Sequence, residues 1–236
     1  MAAKQFSGFV RESAEGRVHS FRGEQMETRF KEGNLDFTIR RCQVGDETSL
    51  SLLGKATFLE TYADSTHAPD LLDFVEAEHS VERYRSWLKS DSVKIWVAET
   101  TAGGSAIGYT VALTTPNAGI SRQMEIKRLY VLHRFQRRGL GHLLLNEALE
   151  DARQTGIAEL FLRVQEINQN AVNFYFSNGF RVMGSEAFRV GATICAALVM
   201  RLALRESFKA NHKEGAAEDG GASANSEFEI LRSRLT

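Results

Sequence analysis

Proline and cysteine are scarce in this chain of 236 residues, which has two of each. Its formal net charge is only −1. A near-neutral chain lacks the broad positive surface that nucleic acids and anionic membranes attract, so neither partner is expected. There is no apolar run of about 18 residues, and no apolar segment of signal-peptide length follows the first basic residues. We therefore expect a cytoplasmic protein.

The two cysteines and the histidines do not form a recognisable metal or disulfide pattern. Cys42 and Cys195 lie far apart in the sequence, and we expect both to be reduced and buried. His133 and His142 have no clustered partners at the spacing of metal ligands. The sequence therefore predicts no metal site.

Composition divides the chain into three parts. Residues 1–35 mix charges, glycines and isolated phenylalanines without a sustained period, which predicts an irregular or partly ordered N-terminal extension. Residues 36–204 carry the strand and helix patterns of one folded domain. Residues 205–236 are small and polar over most of their length, which predicts a disordered C-terminal tail.

The middle part predicts an α/β (α+β) fold with the order βααβββαβαββ. Asp46 is predicted to cap a first helix that reaches Tyr62, and Ser80 divides a helical region that follows Pro69. "VKIWVAET" and "AIGYTVALTT" form a hairpin pattern around "TAGGS". A strand–helix–strand unit after it predicts one parallel strand pair in a sheet otherwise made of antiparallel hairpins.

The stretch "RFQRRGLGHLLL" places two glycines where a helix begins. A helix N-terminus presents unpaired amides and the positive end of the helix dipole, so it attracts anions. Without β-carbons, Gly139 and Gly141 would let a phosphate approach those amides, and Arg134, Arg137 and Arg138 add cationic donors. The spacing fits neither a Walker loop nor the dinucleotide fingerprint.

Two motifs in order resemble the GNAT superfamily of N-acetyltransferases. Gln136-x-x-Gly139-x-Gly141 resembles its acyl-coenzyme A signature. Further along the chain, "NQNAVNFYFSNGF" is similar to the family's N-x-x-A-x-x-F-Y-x-x-x-G-F segment. The resemblance covers about residues 37–204. It implies a mixed central sheet with a splayed parallel strand pair and flanking helices, with acetyl-CoA as the acetyl donor.

The resemblance also implies which residues hold the donor. The strand before the glycine turn would bond the pantetheine arm through the backbone of Leu129, Tyr130 and Val131, and Asn168 would bond it from the other side. The remaining residues belong to the turn that would bind the diphosphate, and they are Gln136, Arg137, Arg138, Gly139, Leu140, Gly141 and His142.

Two residues match catalytic positions of the family. Tyr175 matches the tyrosine that stabilises the departing thiolate, although a core tyrosine is the alternative. Glu125 matches a glutamate that removes a proton from the amine, which is needed because an alkylammonium is mostly charged at pH 7. A structural carboxylate is the alternative for Glu125. Strand alternation predicts that Glu125, Lys127 and Leu129 share a face, with Lys127 stabilising the carboxylate's charge.

Three hypotheses remain open for the function of the chain, and two of them differ in the acceptor. "TFLETYA", the glycine turn and "FRVGATICAALVM" are most similar to bacterial spermidine/spermine N-acetyltransferases, but Lys127, Gln165 and Ala197 stand where that group tends to have Glu, Trp and Asp. Ribosomal-protein N-terminal alanine acetyltransferases share the cofactor signature but place a catalytic Glu where Arg163 stands. A noncatalytic acyl-CoA sensor is the third hypothesis.

The residues around the first helix suggest where the acceptor would lie. Glu60, Tyr62 and Asp64 are candidates for the wall of the acceptor site, with a solvated helix face as the alternative. We expect a small-molecule or peptide amine as the acceptor. A homodimer is compatible with the sequence, which does not determine the oligomeric state.

Overall fold

The computed structural model describes residues 11–12, 18–22, 25–32, 35–115, 122–190 and 193–204. The strands are β1 (Arg11–Glu12), β2 (Val18–Arg22), β3 (Gln25–Glu32), β4 (Leu35–Arg41), β5 (Val93–Thr100), β6 (Ala106–Thr115), β7 (Gln123–Val131), β8 (Glu159–Gln165), β9 (Arg181–Val190) and β10 (Thr193–Ala203). The helices are α1 (Glu47–Tyr62), α2 (Ala68–Glu78), α3 (Val81–Leu88), α4 (Leu140–Gln154) and α5 (Gln169–Ser177), with a 3-10 turn at His133–Phe135. The predicted tail, residues 205–236, lies outside the described residues.

These strands form one mixed sheet in the order β1-β2-β3-β4-β5-β6-β7-β8-β10-β9. β7 and β8 are parallel, with α4 between them in the chain, and every other described pair is antiparallel. The sequence prediction of a single parallel pair within an antiparallel sheet is therefore confirmed.

The N-terminal part, for which the sequence predicts an irregular or partly ordered extension over residues 1–35, contains three strands in its described residues. Its described residues form β1, β2 and β3, which continue the sheet outward from β4. Phe30 lies opposite Phe37 in the β3–β4 ladder, and their rings stack with centroids 5.3 Å apart. Cross-strand pairs of this kind stabilise a sheet without leaving a period within either strand, which is why the sequence pattern did not reveal them.

Alternate residues of β5 enter two separate cores. Trp96 and Ala98 pack in the core that contains α4 and α5, while Ile95 and Val97 pack in the core that contains α1 and α3. Because successive side chains of a strand point to opposite faces, the helices cover both faces of the sheet. We call these the α4 face and the α1 face.

The helix starts follow the predicted positions with one difference in chemistry. Ser80 begins α3, and its hydroxyl accepts a hydrogen bond from the Arg83 amide at 3.2 Å, as a capping serine does. Asp46 precedes α1 but makes no cap bond to that helix. Its carboxylate instead binds the Arg40 guanidinium at 2.8 and 2.9 Å, so it anchors the end of β4.

A buried polar cluster fills the space between α1 and the middle of the sheet. Tyr84 donates to Tyr109 at 2.9 Å and contacts His79 Nδ1 at 3.0 Å, while Arg128 donates to the Tyr84 hydroxyl at 2.9 Å. Burial lowers the pKa of His79 to about 3, and the nearby Arg128 acts in the same direction. A β-carbon on Gly54 would collide with His79 and Tyr84, so this glycine lets α1 lie directly on the cluster.

The close approach at Gly54 leads to a prediction about stability. Gly54→Ala should lower the free energy of unfolding by about 2 kcal/mol or more, because overpacking of a rigid polar cluster outweighs a gain in helix propensity of about 1 kcal/mol. Urea denaturation measures the change. Gly184→Ala in β9 is the control, because its β-carbon would meet open space. Equal stability of the two variants would contradict the packing described here.

Candidate active site

The parallel strands β7 and β8 separate soon after they begin. Their ladder contains three residue pairs, from Gln123 opposite Glu159 to Glu125 opposite Phe161. β7 then continues to Val131 and β8 to Gln165 without further pairing between them. The two strands therefore leave a wedge-shaped gap in the sheet, as the resemblance to the splayed-strand fold implied.

The backbone groups of β7 that face this gap follow from its pairing with β6. The Leu132 amide donates to the Ile107 carbonyl at 2.9 Å. In an antiparallel ladder such groups alternate sides, so Tyr130, opposite Tyr109, also turns its backbone to β6. Leu129 and Val131 turn theirs to the gap. Of the three residues predicted to offer backbone bonds to the pantetheine arm, Leu129 and Val131 have the required orientation and Tyr130 does not.

The glycine turn between β7 and α4 has the geometry of an anion cradle. Gly139 precedes α4 with φ 73° and provides no side-chain cap, and Arg137 has φ 59°, the one positive φ of a non-glycine residue in the described part of the chain. Uncapped amides at a helix start bind anions. Arg134, Arg137 and Arg138 are exposed around this turn. The Gln136 side chain donates to the Val131 carbonyl at 2.9 Å, so Gln136 closes the turn.

The start of α4 also packs directly against α5. A β-carbon on Gly141 would lie 3.3 Å from the Phe174 ring, so this glycine makes room for α5. The His142 ring lies 4.9 Å from that of Phe174, and its Nδ1 is 2.9 Å from the Asn178 side-chain oxygen. Gly141 thus has a packing role beside the predicted access for a phosphate, and the approach of a helix distant in the chain leaves no local sequence signal.

Helix α5 brings two of the predicted residues to the gap. The Asn168 side chain caps α5 by accepting from the Ala171 amide at 3.1 Å. Tyr175 is buried, and its ring packs against Phe174 and Phe180. Its hydroxyl makes no hydrogen bond to a described residue. The hydroxyl oxygen is nevertheless not one of the side-chain atoms in the described ranges that are both fully buried and without a hydrogen-bond partner. Burial raises the pKa of Tyr175, so the phenol keeps its proton at neutral pH.

Tyr62 joins this region from α1. Its ring packs in a small cluster with Phe58 and Tyr130. Burial raises the pKa of Tyr62, while hydrogen bonds with Tyr130 and Asn168 oppose the rise. Tyr62 therefore connects the last turn of α1 to β7 and to the start of α5, which supports its place in the wall of the site.

The other candidates on this side have different surroundings. Glu60 accepts a hydrogen bond from the His133 amide at 2.9 Å, so it fixes the turn after β7. Asp64 is exposed just beyond α1. His133 and His142 belong to no group of three potential metal ligands within the described ranges.

A bulge in β7 changes the face on which its side chains lie. Arg128 is opposite Val111 and Ile126 is opposite Ala112, so Lys127 is an extra residue without a partner. Ile126 before the bulge and Leu129 after it both pack in the core on the α4 face. The prediction that Glu125, Lys127 and Leu129 share one face is therefore wrong for Leu129, because the extra residue reverses the alternation.

Glu125 lies on the opposite side of β7 from this core and is held by two cations. Its carboxylate accepts from Arg163 Nη1 at 2.9 Å and lies 3.5 Å from Lys127 Nζ. Arg163 also donates to Glu186 at 2.7 Å, and this bond is the largest cause of the raised pKa of Arg163. Glu125 is 8% exposed. The predicted contact with Lys127 is present, whereas no pattern around Glu125 indicates the second cation, Arg163.

The two cysteines agree with the sequence expectation. Cys42 and Cys195 are free and buried. Within the described ranges, no helix is long and apolar enough to cross a membrane.

A gap between parallel strands, beside an uncapped and glycine-led helix, fits an extended thioester cofactor with a diphosphate, and these features define an acyl-CoA-dependent acyltransferase. The model of the acetyltransferase (GNAT) family matches residues 58–180, just over half of the chain, and the chain belongs to that family. The protein is an N-acetyltransferase that uses acetyl-CoA.

Relatives in sequence and structure carry the same family name. An uncharacterized N-acetyltransferase of Mycobacterium tuberculosis is 27% identical over 147 residues, covering 62% of this chain and 90% of the relative. Human N-acetyltransferase 8 is 27% identical over 63% of this chain and 60% of its own length. The PaiA N-acetyltransferase of Thermoplasma acidophilum, solved with coenzyme A, has a TM-score of 0.61 at 22% identity, covering 71% of this chain and 99% of that one. At this identity the last similarity shows the fold.

The cradle geometry predicts the effect of a side chain at Gly139. Gly139→Val should weaken coenzyme A binding by at least about tenfold, because a branched side chain at positive φ strains the turn and crowds the amides. Isothermal titration with coenzyme A measures this loss. Gly156→Val is the matched control, because Gly156 has φ 68° after α4 and open space around it. Equal weakening in both variants would show that strain, and not the cradle, is responsible.

Proposed function

We propose that this enzyme transfers the acetyl group of acetyl-CoA directly to a primary amine in the gap between β7 and β8. The observation that carries the proposal concerns Tyr175 on α5. This residue is buried, and its hydroxyl forms no hydrogen bond with a described residue. Such a group is free to bond a ligand in the gap. A solved complex of similar fold, NatC bound to Gag peptide and CoA, has a TM-score of 0.55 at 20% identity.

In this proposal the residues around the gap hold the donor at both ends. The amides that begin α4 and the exposed Arg137 and Arg138 bind the diphosphate. Leu129 and Val131 bond the pantetheine arm through their backbone groups. When bound, acetyl-CoA supplies a thioester carbonyl carbon that forms a bond to the amine nitrogen as its bond to sulfur breaks.

Tyr175 acts as a hydrogen-bond donor that stabilises the leaving sulfur. A phenol with a raised pKa remains protonated throughout the neutral range, so the hydrogen needed by the sulfur is present before reaction. Because a thiol ionises at lower pH than a phenol, full proton transfer from Tyr175 to the sulfur is unfavourable, and the phenol instead stabilises the departing thiolate by a hydrogen bond. Tyr62 lies beside Tyr175 and helps to hold its phenol in place.

Glu125 acts as the base that takes a proton from the amine, directly or through water. The carboxylate is held by Arg163 and Lys127, so the proton of the amine competes with two cations for its oxygens. This pairing also fixes the carboxylate in one orientation. Buffer completes the cycle by removing the proton from Glu125 and protonating the released thiolate, while Tyr175 keeps its own proton.

The acceptor is a primary amine, and spermidine is the first candidate. Asp70 at the start of α2 and the exposed Asp64 just after α1 provide negative charge, which suits a polycation. An amino acid or protein N-terminus is the second candidate. Arg163 and Lys127 beside Glu125 favour it, because cations at this position repel a polyamine and suit a substrate with a carbonyl or carboxylate next to its amine.

A panel of amines tests the reaction and separates these candidates. Acetyl-CoA is incubated with the protein and spermidine, single amino acids or alanine-initiated tetrapeptides, and released thiol is measured. Thiol release that depends on the amine supports the enzyme, and the preferred amine identifies the class. Tight coenzyme A binding without release for any amine would instead support a noncatalytic acyl-CoA sensor.

The role of Tyr175 predicts a specific kinetic loss. Tyr175→Phe should lower the rate of the chemical step roughly ten- to a thousandfold, because the departing sulfur loses the hydrogen bond that stabilises it. Coenzyme A affinity should not change. Since burial raises the pKa of Tyr175, its ionisation should not reduce the wild-type rate between pH 7 and 10. Single-turnover kinetics measures the chemical step, and an unchanged rate in the variant would remove Tyr175 from the mechanism.

A further inference from the structure

One side-chain oxygen near the gap is buried without a hydrogen-bond partner. It is Oε1 of Gln165, and no other side-chain atom of the described residues has this combination. An enclosed carbonyl oxygen without a donor is unfavourable in a folded protein, and most such groups are paired. An unpaired one therefore marks a place where a ligand can supply the missing donor.

Gln165 lies where β8 borders the gap. It is the last residue of β8, four positions beyond Phe161, where pairing with β7 ends. On its other side it is opposite Ala197 of β10, whose methyl group cannot donate a hydrogen bond. The Asn168 amide donates to the Gln165 carbonyl at 2.9 Å, so Gln165 is also fixed to the start of α5.

The side chain of Gln165 lies on the same face of the sheet as Glu125. Leu160, Leu162 and Val164 pack in the core on the α4 face. Strand alternation then places Arg163 and Gln165 on the other face, and the bond between Arg163 and Glu125 confirms that orientation. Gln165 and the proposed base are thus on one side of the gap.

The amine must approach from this side. The diphosphate cradle and the Tyr175 side chain belong to the α4 face, where the core under β8 is filled. Glu125 can take the proton of an amine that comes from the opposite face. Gln165 is then near the path of the acceptor, not near the part of the donor that α4 binds.

We propose that Gln165 recognises the acceptor, with its Oε1 accepting a hydrogen bond from an N–H group of the amine substrate. This inference rests on the proposed acetyl transfer and adds a residue that determines acceptor specificity. A carbonyl oxygen selects an N–H donor without requiring a full positive charge. It therefore suits a site where the cations Arg163 and Lys127 already balance the carboxylates Glu125 and Glu186.

Gln165→Met tests the proposal because it keeps the length of the side chain and removes the oxygen. With spermidine and an alanine-initiated tetrapeptide as acceptors, KM for the accepted amine should rise about tenfold, the loss of one hydrogen bond. The dissociation constant of coenzyme A should not change. The melting temperature should stay the same or rise, because the variant no longer buries an unpaired oxygen. Gln165→Glu keeps an acceptor oxygen and should recover most of the lost affinity for the amine.

Other outcomes of the same experiment overturn the proposal in distinguishable ways. A weaker coenzyme A complex in Gln165→Met would assign the oxygen to the pantetheine arm. A lower melting temperature with unchanged KM would make Gln165 a structural residue. Gln123→Met is the control, because the Gln123 amide already donates to Glu159 at 2.7 Å and its loss should affect stability but not KM. If the wild-type protein transfers acetyl to none of the panel amines, the proposed function itself fails, and the role of Gln165 fails with it.

Discussion

The separation of β7 from β8 after Glu125 and Phe161 is the constraint on which the site depends. Strands in the interior of a sheet normally satisfy their backbone groups with both neighbours, and leaving such groups unpaired is costly. From Leu129 to Val131 one edge of β7 is bonded to β6 while the other faces the gap. An extended ligand with amide groups can complete this edge as an added strand would. The sheet therefore contains two neighbouring strand edges, on β7 and β8, that are not hydrogen-bonded to each other beyond the first three residue pairs.

Packing on both faces keeps the two strands apart. On the α4 face, Gly141 lets Phe174 approach the start of α4, so the anion cradle and the helix that carries Tyr175 form one unit. On the α1 face, Arg128 is enclosed by Tyr84 and by the Trp87 ring, whose centroid lies 4.6 Å from the guanidinium carbon. Arg128 directly follows the bulge at Lys127. The bulge and the buried cation thus set the direction of β7 just before it borders the gap.

The sequence predicts those features that depend on local chemistry. The helix start at Gly139, the cap at Ser80 and the parallel unit around α4 all leave signals within a few residues, and the structure contains them. The bulge at Lys127 was not predictable, because an extra residue is defined only relative to the partner strand. The pairing of Arg163 with Glu125 joins residues 38 positions apart, so the sequence around neither residue indicates it.

The acceptor side illustrates the same limit in functional terms. Lys127, Gln165 and Ala197 are each visible in the sequence, but their arrangement is not. In the structure Gln165 and Ala197 are direct cross-strand neighbours, and Lys127 lies beside Glu125 on the bulge. These three side chains therefore determine the polarity of one surface. Donor binding uses backbone geometry that many sequences can form, whereas acceptor choice depends on these individual side chains.

Amide-resolved hydrogen exchange with and without coenzyme A tests the central claim most directly, because it reads the two edges of β7 separately. We predict that coenzyme A protects the amides of Leu129 and Val131 and those of the first turn of α4. The Tyr130 amide, already turned to β6, should change little. Protection confined to other parts of the sheet, with Leu129 and Val131 exchanging as before, would contradict a cofactor site between β7 and β8.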